Sequence, residues 1–284
     1  MLHLYFVLTV LQTPAPAVAP PVAAEVPAIP GPITNPVPNE VQELLDKVAA
    51  AQWEQKPGPP LQAFAMRLNL RDRSGDTPRE IEAKIRFRSE KGGLIRLNLH
   101  DPNRGLRISK GFDGTKYWLA EDNQPLVDLG GREFSQDRKS IDQALAMCED
   151  LLLLLDPHQI PEVATKVSLL EPIKKNGFSA HLIKNGNPWE FQVLLSKNYL
   201  PESLAMIPLW KDKDGKAPKA RHFQMGYYKE FQGRRLPQVI EEVLGENQKL
   251  PARIYELREF FWKNPTLIQV DPPPVLSEKD TTTQ

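Results

Sequence analysis

Apolar and polar residues alternate with a period of two along much of this 284-residue chain. The pattern is plainest in the ranges 64–71, 81–88 and 95–99. Successive side chains of a β-strand point to opposite faces, so this spacing is typical of antiparallel strands with one apolar and one charged face. The apolar positions, which are every second residue of each strand, predict an inner face of Phe64, Met66, Leu68, Ile81, Ile85, Phe87 and Leu97. The positions between them predict a solvated face of Arg67, Lys84, Arg86 and Arg96.

Two segments follow helical spacing instead. Asn39, with Gln42 three residues later, is predicted to cap the start of the first helix. Ser140 and Gln143 show the same capping-box pattern at the start of the second, whose apolar stripe ends at Asp156. Five leucines, Leu151 to Leu155, close the second helix and point in every direction around it. A helix over a core needs only one apolar face, so this run must contact protein on two sides, or a ligand. Core packing is the simpler of these two explanations.

The segment from Val239 to Leu244 fits either a helix or a strand. It belongs to a pattern that occurs twice. Each copy starts with Leu-Pro, at Leu200-Pro201 and at Leu236-Pro237, and continues with an apolar run, a polar turn that contains Lys-x-Pro, and an alternating strand. Two copies of one hairpin explain both segments, so we predict a strand. Glu241 and Glu242 then lie on opposite faces, which excludes a carboxylate pair for acid–base chemistry.

These segments follow each other as a helix, three or four strands, a helix, and six or so further strands. No helix alternates with each strand, which excludes a parallel α/β sheet. We predict an α+β fold that is mainly β. It contains one strongly curved antiparallel sheet of about ten strands, an incomplete barrel, with the helices covering the concave face.

The two ends of the chain differ in composition from the middle. A short apolar run from Leu4 to Leu11 and small residues after it predict a signal peptide over 1–24. A disordered apolar tail or a misplaced start codon is the alternative, because no Lys or Arg precedes the run. A Pro/Ala-rich linker is predicted over 25–38, one domain over 39–265 and a disordered tail over 266–284. The predicted location is periplasmic or secreted, and no cysteine in the cleavage zone offers a lipid anchor there.

Charge and motifs exclude several kinds of function. Thirty-six basic and 36 acidic residues balance, which gives no electrostatic case for a nucleic-acid partner. The only cysteine, Cys148, lies on the apolar stripe of the second helix. Residues 212–215 resemble part of a calcium loop, but Trp210 and Arg221 would then occupy ligand positions. No His-Glu-x-x-His motif, Gly-x-Ser-x-Gly elbow or Gly-rich phosphate loop occurs, so we expect a non-enzyme without catalytic residues, metal or cofactor.

Several hairpins resemble those of the bacterial LolA/LolB-type lipoprotein-carrier superfamily. The resemblance is carried by RISKGFDGTKYWLAEDNQP and IEAKIRFRSEKGGLIRLNLHDP in the first half of the chain. It continues in NGFSAHLIKNGNPWEFQVLLSKNYLPESL and YYKEFQGRRLPQVIEE in the second half. Together the matches extend over roughly Asn39 to Asn264. The resemblance implies a half-barrel with helices as a lid, and an apolar hollow that takes acyl chains in the periplasm.

The resemblance also implies roles for particular residues. The lipid-binding set comprises the concave-face residues Phe64, Met66, Leu68, Ile81, Ile85, Phe87 and Leu97 and the lid residues Leu151 and Leu154. Arg88 matches the arginine that holds the lid of such carriers closed, although Ser89 replaces the family's proline. The implied partners are a lipid or acylated lipoprotein and envelope membrane proteins, and the expected state is a monomer. The alternative is an envelope sensor or protein-interaction module that uses the same fold without lipid transport.

Overall fold

The computed structural model of this chain describes most of the region after residue 36. The described ranges are 37–53, 61–73, 77–90, 93–121, 125–156, 160–170, 176–184, 186–211, 214–244, 250–262 and 268–272. The predicted signal peptide, nearly all of the predicted linker and residues 273–284 lie outside them.

The described chain is mainly β. Its helices are α1 (Asn39–Gln52), α2 (Ser135–Leu155) and the short α3 (Ile160–Val163). The first group of strands is β1 (Ala63–Asp72), β2 (Arg79–Arg88), β3 (Leu94–Asp101), β4 (Leu106–Phe112), β5 (Tyr117–Glu121) and β6 (Val127–Asp128). The second group is β7 (Ala164–Leu169), β8 (Gly177–Lys184), β9 (Asn187–Leu195), β10 (Pro201–Pro208), β11 (Arg221–Phe231), β12 (Arg234–Leu244) and β13 (Arg253–Phe261).

All these strands belong to one antiparallel sheet, in the order β6-β5-β4-β3-β2-β1-β13-β12-β11-β10-β9-β8-β7. Each group is a meander in which chain neighbours pair. The first strand, β1, also pairs with the last, β13, and this pairing joins the two meanders at the centre of the sheet. The strands β6 and β7 therefore form the two edges of an open sheet.

The helix α2 lies in the chain between those two edge strands. Its 21 residues extend about 31 Å at 1.5 Å per residue, so it can cross a broad sheet. A connection that leaves one edge and returns to the other must pass over one face. In this fold α2 passes over the apolar face, where its buried residues meet those of the sheet.

Two hydrophobic cores fill the concave side. The first lies between α2 and the strands β1 to β5 and β13, and includes Phe64, Phe87, Cys148 and Leu152. The second lies between α1 and the strands β7 to β11, and includes Leu45, Phe178 and Phe191. Each helix thus covers one half of the curved sheet, and Leu151 of α2 packs against both cores.

The predicted faces of the first three strands are confirmed. The seven residues assigned to the inner face are all buried in the first core. The four basic residues assigned to the outer face are exposed or half-buried, and Arg67 lies within 4.0 Å of Glu82 and 3.6 Å of Glu259. Because a slip of one residue would exchange the two faces, this burial pattern also confirms the parity of each strand.

Within the described ranges the sheet has thirteen strands rather than the predicted ten or so. The strand β6 has only two residues, too few to show any period. The strand β7 is short and has a register shift between Ala164 and Lys166, which interrupts the alternation that would reveal it. The predicted hairpins β10–β11 and β12–β13 are both present, and the segment 239–244 is a strand as predicted.

The second helix begins at Ser135, five residues before the predicted start at Ser140. The Ser140 hydroxyl lies inside the helix, where it donates to the Asp137 carbonyl oxygen and accepts a 2.7 Å hydrogen bond from the Lys110 ammonium. Its role is thus to bond a buried lysine of the sheet, and the capping-box spacing was misleading. The first helix begins at Asn39, but its N-cap is Pro38 and no side chain caps it, so the predicted cap at Asn39 is wrong.

The packed chain extends beyond residue 265. Ile268 and Val270 are buried, and the guanidinium of Arg96 on the outer face donates a 3.1 Å hydrogen bond to the Asp271 carbonyl oxygen. The residues 268–271 therefore pack onto the domain. At the other end, Val37 packs against the second core.

Candidate functional site

A cavity of about 60 Å³ lies between α2 and the concave face of the central strands. Its apolar lining consists of Met66, Leu68, Met147, Leu151, Leu155, Met206, Phe223, Pro237, Ile240, Tyr255, Leu257 and Phe260. Three of the five methionines of the chain are in this lining. Methionine is unbranched and adapts to irregular shapes, so this wall can change its shape at low cost.

The helix α2 contributes one stripe of the lining. Met147, Leu151 and Leu155 are spaced by four residues and therefore lie on the same side of the helix. Within the leucine run, Leu152 is buried in the first core and Leu153 packs against the second, while Leu151 and Leu155 border the cavity. The run thus contacts two cores and a cavity, which accounts for its apolar groups on several sides.

The predicted lipid-binding residues separate into two sets. Met66, Leu68 and Leu151 border the cavity. Phe64, Ile81, Ile85, Phe87 and Leu97 lie on the same concave face but are packed in the first core, away from the cavity lining. The side chain of Leu154 lies outside the described residues.

Arg88, the predicted lid latch, is at the end of β2. Its guanidinium forms an ion pair with Glu90, two residues further along the chain, and about a third of the Arg88 side chain is exposed. This contact joins Arg88 to its own strand end rather than to either helix. A latch role for Arg88 remains a prediction.

Charged residues close one part of the cavity wall, and they were not predicted. Asp150 of α2 and Arg221 of β11 both border the cavity. The Asp150 carboxylate forms a buried ion pair with the Lys184 ammonium of β8. The Arg221 Nε donates a 2.8 Å hydrogen bond to the Glu242 carboxylate.

Beyond Arg221, charged residues lie in a row across the next three strands of the sheet. Glu242, Arg253 and Asp72 lie directly opposite one another on β12, β13 and β1. Arg253 donates to the Glu242 Oε2 at 3.3 Å and to the Asp72 Oδ2 at 3.5 Å, and the Tyr255 hydroxyl donates to the same Glu242 oxygen at 2.8 Å. Such cross-strand pairs of opposite charge stabilise one register of the sheet.

The protonation of this cluster follows from its surroundings. Burial alone would raise the pKa of Glu242, but the charges of Arg221 and Arg253 outweigh burial, so that pKa is lowered and the carboxylate stays ionised. Burial raises the pKa of Asp150, and the Lys184 ammonium only partly offsets this effect. The two carboxylates thus have their pKa values shifted in opposite directions.

A second buried arginine lies where the two long helices end. Arg234 at the start of β12 is fully buried, with its guanidinium 4.9 Å from the ring centre of Trp53 and 3.6 Å from the Asp156 carboxylate. Trp53 and Asp156 are the residues that follow α1 and α2, respectively. The C-terminal end of a helix has a partial negative charge, so a cation near two such ends is favourably placed.

The charged residues of the concave face could have been recognised in the sequence. Lys110 shares a parity with Ile108, and Arg221 with Phe223 and Met225, so each puts a charge at an inward position of its strand. Such a charge requires a buried partner. The sequence does not indicate which residue is the partner of Arg221. Glu242 is 21 residues away and reaches Arg221 only through strand pairing.

No helix in the described ranges is both long enough and apolar enough to cross a membrane.

Comparison with known proteins gives fold neighbours only. No protein-family model and no curated protein matches the sequence. A LolA superfamily protein from Nitrosomonas europaea is similar in structure, with a TM-score of 0.44 and 9% identity over 78% of this chain and 93% of the other. A protein domain named for outer membrane lipoprotein sorting, from Vibrio parahaemolyticus, has a TM-score of 0.42 and 10% identity over 78% and 91%. A DUF1329 family protein from Desulfovibrio piger has a TM-score of 0.35 and 9% identity over 81% and 94%.

Proposed function

We propose that this protein is a non-enzymatic, exported carrier or binding protein that holds an acyl chain of a lipid or acylated lipoprotein. The observation that supports it is the apolar cavity between α2 and the concave face. Burial of an acyl chain is favourable by about 0.8 kcal/mol per CH₂. A lining of aliphatic, aromatic and methionine side chains suits a ligand that has no fixed shape.

Uptake of a chain requires the cavity to enlarge. A water molecule needs about 10–15 Å³ of such space, so a cavity of about 60 Å³ holds only a few small groups. The wall formed by α2 is the one that can move without separating paired strands, because α2 is joined to the sheet by side chains. We therefore expect α2 to shift away from β1 and β13 when an acyl chain enters.

Native mass spectrometry of protein purified from cells, without added detergent, tests the proposal directly. A carrier retains lipid, and we expect an added mass that extraction with organic solvent removes and lipidomics identifies. A protein that is empty in every preparation, and that does not take up a fluorescent fatty acid, contradicts the proposal. That result would favour an envelope sensor or interaction module.

Cys148 offers a probe of the movement of α2. It is the only cysteine, its side chain is fully buried on the inner side of α2, and burial raises the pKa of its thiol. A thiol in this state reacts slowly with alkylating reagents. We expect lipid vesicles to increase the rate at which Cys148 is labelled several-fold, whereas labelling in buffer without vesicles stays slow. An unchanged rate at saturating lipid would show that α2 does not shift.

A further inference from the structure

Arg221 has more hydrogen-bond donors than its protein partners use. A guanidinium has five N–H donors, and Arg221 uses its Nε–H on Glu242. Within the described residues, its Nη1 and Nη2 donate no hydrogen bond. About a quarter of the Arg221 side chain is exposed, and it borders the cavity. The four N–H donors of Nη1 and Nη2 thus lie at the wall of a largely apolar space.

The carboxylates around Arg221 already have cationic partners. Glu242 accepts from Arg221 through one carboxylate oxygen and from Arg253 and Tyr255 through the other. Asp150, the other charged residue of the lining, accepts from the Lys184 ammonium and is less exposed than Arg221. Each carboxylate of this wall is thus paired with a cation of the protein, whereas the Nη1 and Nη2 groups of Arg221 have no acceptor among the described residues.

We infer that the ligand is an amphiphile whose acceptor oxygens, a carboxylate or an ester, bind the guanidinium of Arg221. Its acyl chain lies against the apolar remainder of the lining, so the inference rests on the proposed function and specifies the polar end of the ligand. A carboxylate and an ester share the acceptor chemistry that a guanidinium recognises. A primary amine at the end of the same chain has no such acceptor when it is protonated.

Competition against a neutral fluorescent probe, N-phenyl-1-naphthylamine, tests the inference on the full-length protein. The competitors share a 14-carbon chain and differ in one end: tetradecanoic acid, methyl tetradecanoate and tetradecylamine. We expect the acid or the ester to compete about tenfold better than the amine, the factor expected for one charge-assisted hydrogen bond. If the acid competes more strongly than the ester, a free carboxylate is the preferred end of the ligand. If the two compete equally, an ester oxygen is enough for binding to Arg221.

The variants Arg221→Met and Arg221→Lys assign the preference to the guanidinium. We expect Arg221→Met to lose the preference for acid and ester over amine, with each competitor measured against that variant's own affinity for the neutral probe. Arg221→Lys keeps a cation beside Glu242, so it is the variant to use if Arg221→Met does not give a cooperative melt. Arg71→Met, at an exposed arginine paired with Glu80, is the control and should keep the full preference.

Two failures have different signatures. If the wild type binds the neutral probe but does not discriminate between the three ends, the inference about Arg221 is wrong and the proposed function stands. The same holds if both Arg221 variants keep the discrimination. If the wild type binds neither the probe nor any chain, the proposed function fails, and the inference fails with it.

Discussion

At the scale of single residues, Arg234 forms a fully buried ion pair with Asp156. Its guanidinium is fully buried between Trp53 and Asp156, and burial lowers its pKa to about 10, partly offset by Asp156, so it is charged at neutral pH. We expect Arg234→Met to lower the free energy of unfolding by about 3–5 kcal/mol, because it breaks a buried ion pair by removing one of its partners. Urea denaturation measures this change. Arg71→Met should alter stability by less than about 0.5 kcal/mol, and an equal loss in both variants would contradict the role of Arg234.

Lys110 is a residue whose charge opposes folding. Burial lowers its pKa from 10.5 to about 8, so its charged form is disfavoured in the fold by about 3 kcal/mol. Between pH 8 and 10.5 the unfolded chain still binds a proton that the folded chain has released, so stability rises with pH over that window. We expect Lys110→Met to be more stable than wild type at pH 7 and to lose this advantage by about pH 10. Urea denaturation at several pH values measures the difference, and a constant difference would contradict it.

At the scale of an element, α2 presents two adjacent leucines with different surroundings. Leu152 is buried in the first core, and Leu152→Ala should reduce stability by about 2–5 kcal/mol. Leu151 borders the cavity, so Leu151→Ala enlarges an existing space and should cost less, while uptake of a fluorescent fatty acid weakens. A thermal melt and a titration on each variant compare them. If Leu151→Ala loses as much stability as Leu152→Ala and keeps its uptake, α2 is only a core helix.

At the scale of the whole molecule, the pairing of β1 with β13 joins the two meanders into one sheet. A chain that ends at residue 249 lacks β13, so β1 and β12 both become unpaired edges. We expect this chain to show no cooperative unfolding transition by circular dichroism. A chain that ends at residue 272 keeps every described element and should unfold like the full-length protein. Cooperative unfolding of the shorter chain would show that the meanders fold independently.

Export is the other prediction at this scale. The apolar run near the N-terminus and the small residues after it predict removal of the segment before about Glu25. N-terminal sequencing of protein taken from cells should therefore begin close to that residue. Material that begins at Met1 would contradict both the signal peptide and the periplasmic or secreted location.

The sequence by itself indicated much of the local structure and which face the residues of β1, β2 and β3 occupy. The period-two pattern placed Phe64, Ile85 and Phe87 inside and Lys84 outside, because a strand exposes its two faces in strict alternation. The repeated hairpin pattern identified β12 as a strand and separated Glu241 from Glu242, of which only Glu242 is buried. The helix α2 ends at Leu155, just before Asp156, as predicted.

Only the tertiary structure decided which strands are neighbours and which side chains form the site. Asp72, Arg221, Glu242 and Arg253 come together through the registers of β11, β12, β13 and β1. Alternation specifies the parity of a residue but neither the partner strand nor the register, since both depend on contacts between distant parts of the chain. For the same reason the sequence could not separate Leu151, beside the cavity, from Leu152, in the core. The two are adjacent in an unbroken run of leucines, and only the packing of α2 over the sheet gives them different neighbours.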